Sequence, residues 1–213
     1  LSPAPHVRTK AVVARDAVAE IVAEAGPDIL GVCEVASPAA LEDLRNRLGE
    51  RGMDFTDTEW VDGPDPDRHL ALLSRWPIVR RASRPRVPFT IEGAPELVRR
   101  GFLDVTVRVN TGYELRLVGV HLKSRLPTPA GEELVRRLEA ELLRTHVENI
   151  LMEEPRVNLL VYGDFNETRE QPAMRHVLGP SGGLFSLYEV PVEDSHGERW
   201  THHRQTSDVY ARI

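Results

Sequence analysis

Glu34, His121, Asp164 and Asn166 are the residues whose types could do chemistry together. Each follows an apolar run: Ile29-Leu30-Gly31-Val32-Cys33 before Glu34, Leu117-Val118-Gly119-Val120 before His121, and Leu159-Leu160-Val161-Tyr162 before Gly163-Asp164-Phe165-Asn166. Two carboxylates, an imidazole and a carboxamide can between them ligate a cation, carry a proton and donate to a developing negative charge. Singly, each has an ordinary explanation. A glutamate after a strand is often a cap or an ion-pair partner, and a lone histidine is often just packed. Gly-Asp-Phe-Asn alone suits a tight turn. Their joint occurrence, each at a strand end, points to one site, because α/β proteins place sites beyond strand ends at one edge of a sheet.

The elements that must position these groups are legible from periodicity. Val13, Ala17, Ile21 and Ala25 recur at four-residue spacing, with Val18 and Val22 beside them, which predicts an amphipathic helix over residues 9–25 ended by Gly26-Pro27. Asp28 to Val35 reads as a buried strand delivering Glu34. Ser37-Pro38 opens a second helix, with Leu41, Leu44 and Leu48 inward and Gly49 at its end. Leu70 to Leu73 is a further buried strand. Leu103, Val105, Val107 and Val109 alternate with polar residues and lead through Asn110-Thr111-Gly112 into a strand from Tyr113 to His121, which predicts an antiparallel hairpin. Thr128-Pro129 begins a long helix with Leu134, Leu138, Leu142, Ile150 and Leu151 as its contacts, stopped by Pro155. Val157 to Tyr162 is the last buried strand before Asp164. Residues 52–69, with Asp62-Gly63-Pro64-Asp65-Pro66-Asp67, and much of 180–208 read as surface loops. A hairpin amid alternating strands and helices argues against a purely parallel sheet and for two packed sheets with helices outside.

Bulk properties narrow the choices. The 213 residues suit one domain, and 41% hydrophobic with 28% charged residues is ordinary for a globular chain. No stretch has the apolar length of a membrane span, and Leu1 to His6 show no signal-peptide pattern; either a cytoplasmic or a secreted protein after signal removal would fit. The single Cys33 excludes an internal disulfide and a cysteine zinc cluster. A net charge of -6 gives no global attraction to a polyanion, so a nucleic-acid substrate would need a local basic rim or a bound cation. Arg80, Arg81, Arg84, Arg86, Arg99 and Arg100 cluster, a pattern that solvated strand and loop surface also produces. His202 and His203 are adjacent, so on a strand they point to opposite faces and do not share one ion.

The motifs carry a resemblance. Pro27-Asp28-Ile29-Leu30-Gly31-Val32-Cys33-Glu34-Val35, Leu73-Ser74-Arg75, His121-Leu122-Lys123-Ser124, Gly163-Asp164-Phe165-Asn166 and Trp200-Thr201-His202, in this order, resemble the endonuclease/exonuclease/phosphatase (DNase I-like) family. The resemblance implies a four-layer α/β sandwich, with two mixed, mainly antiparallel sheets face to face and flanked by helices. It implies a phosphoesterase using Mg²⁺ or Mn²⁺, with Glu34 as metal ligand. Asp164 would orient or deprotonate the attacking water, Asn166 would donate to the phosphoryl oxygen, and His121 would stabilise those oxygens or assist the leaving group. Lys123, Arg125 and Arg100 are candidate substrate-phosphate contacts. The expected partner is a phosphoester, in a nucleic acid or a phospholipid head group, and the expected state is a monomer without membrane insertion. An inositol-phosphate phosphatase and a non-catalytic binding or scaffold member are the rival readings. The resemblance also leads one to expect an Asn on an earlier strand, and an Asp and an Asp-His pair on two strands after Ser207-Asp208-Val209-Tyr210-Ala211-Arg212-Ile213. Residues 1–213 do not contain these groups. As it stands, the domain is therefore expected to be impaired and less stable.

Overall fold

A computed structural model describes residues 5–194, 196–204 and 209–212. In chain order the elements are α1 (Pro5–Ala25), β1 (Ile29–Val35), α2 (Pro38–Gly49), β2 (Asp57–Val61), β3 (His69–Ser74), β4 (Ile78–Arg81), β5 (Pro88–Ile91) and β6 (Ala94–Leu97). They continue with β7 (Leu103–Asn110), β8 (Tyr113–His121), α3 (Glu132–Glu153), β9 (Leu159–Asp164), α4 (Pro172–Leu178), β10 (His202–Arg204) and β11 (Val209–Ala211). Residues 1–4 and the segment Ser207-Asp208, with Ile213, lie outside the described residues.

Alternation along the strands builds the layers. The first sheet runs β1-β3-β2 and is antiparallel throughout; the second runs β4-β7-β8-β9. On β7, Leu103, Val105 and Val107 face the first sheet and meet Leu70 and Leu72 of β3. The other face of β3, with Ala71 and Leu73, packs under α1 and α2 against Leu41, Leu48, Met53 and Phe55. On β8, Val118 and Val120 face α3 and meet Ala140, Leu143 and Val147. Three apolar cores therefore separate four layers, helix, sheet, sheet and helix. β8 and β9 are parallel, a pairing that needs a crossover, and α3 supplies it. β5-β6 and β10-β11 form two small separate sheets.

Two devices join the large sheets. At one edge Arg81 of β4 bonds Asp57 and Glu59 of β2. At the other, the ring of Tyr162 (β9) fills space left by Gly31 (β1) and Gly119 (β8). A Cβ at Gly31 would lie 2.0 Å from Tyr162 Cε2, and one at Gly119 would lie 2.8 Å from the hydroxyl oxygen.

The structure corrects several sequence expectations. Residues 52–69 are not simply a loop: Met53 and Phe55 are buried and β2 runs through the segment. Its Asp57 and Glu59 look like loop residues but both bond to Arg81. The inner face of α1 carries Ala19, Val22 and Ala23, while Val13, Val18 and Ile21 are exposed. Small Ala19 lets the helix sit close, and Arg47 of α2 pairs with Asp16 to fix that rotation. α3 begins at Glu132, not at Thr128, and its inner face is Arg136, Glu139, Ala140, Leu143, His146, Val147 and Ile150. The predicted Leu134, Leu138 and Leu142 flank that face, because three of its members are polar and find buried partners. α2 runs through Gly49, and Glu50 caps it.

One of those partnerships is complete. Arg116 of β8 donates twice to Asp104 of β7, at 2.8 and 2.7 Å. His146 Nε2 lies 2.9 Å from the same carboxylate, and Arg116 also donates to Glu154 at 2.7 Å. Burial pushes the Asp104 pKa up, but the bonds from Arg116 and His146 outweigh it and hold the carboxyl below its ordinary range.

Candidate active site

Parallel pairing sets His121 of β8 directly beside Asp164 of β9. Glu34 comes from the other sheet. The register of β1 on β3 shifts between Val32 and Val35, and Glu34 takes a left-handed backbone, φ 59°. Such irregularities re-aim a side chain, here toward the second sheet. His121 Nε2 is 3.9 Å from Glu34 Oε1 and 3.9 Å from Asp164 Oδ2. An imidazole and two carboxylates from three distant chain segments thus share one small volume.

The Gly-Asp-Phe-Asn segment folds for local reasons. Gly163 has φ 138°, and a Cβ there would lie 1.9 Å from the Val120 carbonyl oxygen, so only glycine lets β9 close on β8 at this point. Asp164 Oδ1 accepts the Asn166 N–H at 2.8 Å, which forms an Asx turn and leaves Oδ2 toward His121. Asn166 is left-handed, φ 55°, and its side-chain amide donates to the Leu122 carbonyl at 3.0 Å.

Exposure divides the cluster. The Glu34 and Asp164 side chains are 61% and 36% exposed, whereas His121 is 3% exposed. Burial lowers the His121 pKa and the Arg100 charge lowers it further; Asp164, Glu34 and Asp65 only partly offset this. Both effects favour the neutral imidazole. Arg100 is buried, with Nε 3.3 Å from Asp65 Oδ2. Asp65 accepts the Asp67 and Arg68 amides at 3.1 Å each. Burial raises its pKa, but the Asp67 amide, Arg100 and Arg68 outweigh that and keep it ionised. Arg68 Nε stands 3.5 Å from Glu34 Oε1. Among the described residues, no group hydrogen-bonds to Arg100 Nε, His121 Nδ1 or Glu139 Oε1.

Other candidates are placed differently. The Lys123 ammonium turns into its own loop and donates to the Ser124 and Leu126 carbonyls at 2.9 and 2.7 Å. Arg125 is exposed on the rim, donating to the Asn166 carbonyl at 3.2 Å and to Gln171 at 2.9 Å. Asp65, Arg68 and Glu139 were not singled out by sequence. Asp65 sits in a run whose composition signals only a loop, and Glu139 is one acid among many on a helix.

The donor set is oxygen-rich and solvent-reachable, which suits a hard cation. Mg²⁺ takes one or two carboxylates and keeps several waters, so Glu34 with Asp164 nearby fits it. Among the described residues, no group of three or more His, Cys, Asp or Glu side chains forms a ready-made metal cage. A cavity of about 610 Å³ opens at the Tyr113 end of β8, lined by Arg116, Glu154 and Asn158 among others. It lies away from the cluster and gathers no comparable set of chemical groups, so the geometry of the rim is the better guide.

Two sheets face to face between helices, with this rim at the ends of β1, β8 and β9, define a DNase I-like sandwich. The chain belongs to the Endonuclease/Exonuclease/phosphatase family, whose sequence profile matches residues 8–184. Among solved structures it is similar to the human Nocturnin catalytic domain with bound sulfate anion, at TM-score 0.58 and 20% identity over 76% of this chain and 60% of that one. It is similar to sphingomyelinase C from Streptomyces griseocarneus at TM-score 0.56 and 18% identity, over 79% of this chain and 64% of that one. It also resembles truncated Caenorhabditis elegans TDP2 at TM-score 0.53 and 20% identity, over 73% and 56% of the two chains. These residues thus span less than two thirds of each relative's length. No curated protein matches the sequence.

Proposed function

We propose that this domain is a divalent-metal-dependent phosphoesterase that hydrolyses a phosphodiester or phosphomonoester by direct attack of water. The observation that carries this reading is the meeting of Glu34, His121 and Asp164 at 3.9 Å beside buried Arg100. Glu34 would hold Mg²⁺ or Mn²⁺, and the cation would neutralise the phosphoryl charge that otherwise repels a nucleophile. Asp164, pinned through Oδ1 by the Asn166 amide, presents Oδ2 to orient a water and take its proton. Neutral His121 accepts or holds a proton at Nε2. Arg100 offers positive charge to the phosphoryl oxygens as their charge grows, and Asn166 keeps a second amide hydrogen for the same purpose. Arg125 at the rim suits a flanking phosphate.

The test is side-by-side assay of plasmid nicking, sphingomyelin hydrolysis and a phosphomonoester, with Mg²⁺ and with EDTA, together with Mn²⁺ titration calorimetry. Hydrolysis of one substrate class that EDTA abolishes, and Mn²⁺ binding that Glu34→Ala weakens, are expected. Absence of both removes the reading. A binding module without turnover is the second reading. It is favoured by the engagement of the Lys123 ammonium and the Asn166 amide with backbone carbonyls; phosphate-dependent ligand binding without hydrolysis would select it.

A further inference from the structure

We propose that Arg136 and Glu139 of α3, with Glu167, are positioning residues that clamp the two loops of the site against each other. The proposal rests on reading that site as a phosphoesterase centre.

All three side chains are buried. Arg136 and Glu139 are three residues apart, hence on one face of the helix. Glu139 Oε2 accepts the Lys123 backbone N–H at 2.6 Å, and Arg136 Nη1 donates to the Lys123 carbonyl at 3.1 Å. The helix therefore grips both backbone groups of the residue two positions beyond His121. Arg136 Nε also donates to Glu167 Oε1 at 2.9 Å, three positions beyond Asp164. Glu167 Oε2 in turn accepts the Ala173 N–H at 2.8 Å, at the start of α4. One planar guanidinium thus spans from the His121 loop to the Asp164 loop, a task that needs its forked donors and that a lysine could not perform. Burial raises the Glu139 pKa to about 7, while the Lys123 amide, the Arg100 charge and the Arg99 amide pull it down. The same carboxyl therefore also lies against the segment that carries Arg100.

An apolar face on α3 would pack at least as well, since buried ion pairs seldom add net stability. Fixed geometry is what these three residues supply. None of them reaches the rim, so they act through His121, Asp164 and Arg100 rather than on a substrate. Small misplacements of reacting groups are costly, on the order of a hundredfold in rate for 1 Å.

Hydrogen exchange of segments 121–126 and 163–168 tests the clamp, alongside kcat and KM for bis(p-nitrophenyl) phosphate with Mn²⁺. Arg136→Met is expected to speed exchange in both segments while β7 and β8 stay protected. It should lower kcat about tenfold or more with KM changed less than about threefold. Glu139→Ala should loosen 121–126, and Glu139→Gln, which keeps an acceptor for the Lys123 amide, should restore protection and rate. Arg136→Lys is the milder variant if Arg136→Met does not fold, and it should loosen 121–126 while keeping its charge beside Glu167. Unchanged exchange in 121–126 for both arginine variants overturns the clamp, as does failure of Glu139→Gln to differ from Glu139→Ala. Wild-type protein that hydrolyses nothing would sink the phosphoesterase reading alone, because the exchange data still decide the clamp.

Discussion

Toward the Tyr113 end of β8, Arg116 is bonded twice to Asp104, and that carboxylate is bonded again by His146. At the other end, His121 touches two carboxylates only at 3.9 Å, and Arg100 and His121 each keep a nitrogen without a hydrogen bond among the described residues. The backbone differs in the same sense. Of the three non-glycine residues with positive φ among the described residues, Glu34 and Asn166 are at the His121 end. One strand therefore carries two buried charge clusters, one closed on itself and one held open. Buried polar groups that satisfy one another serve the fold, and the looser, left-handed end is the one that the proposed phosphoesterase site occupies.

The comparison can be broken most directly at its closed end. Asp104→Ala leaves Arg116 buried without its main partner and should cost about 3–5 kcal/mol. Urea denaturation would show this as a lower midpoint at unchanged slope, and a loss below about 1 kcal/mol would remove the contrast. At the open end, Asp164→Asn should reduce kcat about a hundredfold or more, since it removes the water-orienting carboxylate. Its thermal midpoint should stay near wild type because an oxygen remains for the Asn166 amide. A large fall in that midpoint would class the residue with Asp104 instead.

Glu34→Gly sharpens the contrast with a smaller effect. Glycine accepts the left-handed backbone without penalty, so the variant should match wild-type stability or exceed it by about 1 kcal/mol while losing Mn²⁺ affinity. Stability and metal binding would then move apart, as expected where strain is kept for function. The last effect is on pH. The Glu139 carboxyl titrates near 7 in the fold against an ordinary value of 4.5. A raised pKa stabilises the folded state fully below the ordinary value, and this contribution is lost as pH rises through about 7. Relative to Glu139→Gln, wild type should lose stability between these limits; parallel stability curves across pH 4.5–7 would contradict the assignment.

Sequence reading reached the parts of the molecule where pattern and burial agree. Leu103, Val105 and Val107 alternate with polar residues and pack together against the first sheet, and Gly163 precedes Asp164 where the strands nearly touch. The four-layer arrangement followed from such strands and from the motif resemblance. It failed where charge is buried in pairs. Asp57 and Glu59 made β2 look like loop, and Arg136, Glu139 and His146 hid the true face of α3, because periodicity counts apolar residues and is blind to partners elsewhere in the chain. Of the candidate site, the convergence of Glu34, His121 and Asp164 was legible from their strand ends. Asp65 and its hold on Arg100 were not, since that pairing exists only once residues 62–68 fold back over the segment near Arg100.

The slot that holds Tyr162 constrains how this architecture can drift. Gly31 and Gly119 belong to different sheets, and both have room only for hydrogen because the same ring lies over them. Three positions far apart in the polypeptide are thereby bound into one heritable unit. A descendant that acquires alanine at 31 before the ring at 162 shrinks passes through a clash, whereas the reverse order opens a void that later methyl groups can fill. The substitution history of the three sites should therefore run one way, ring first and glycines after.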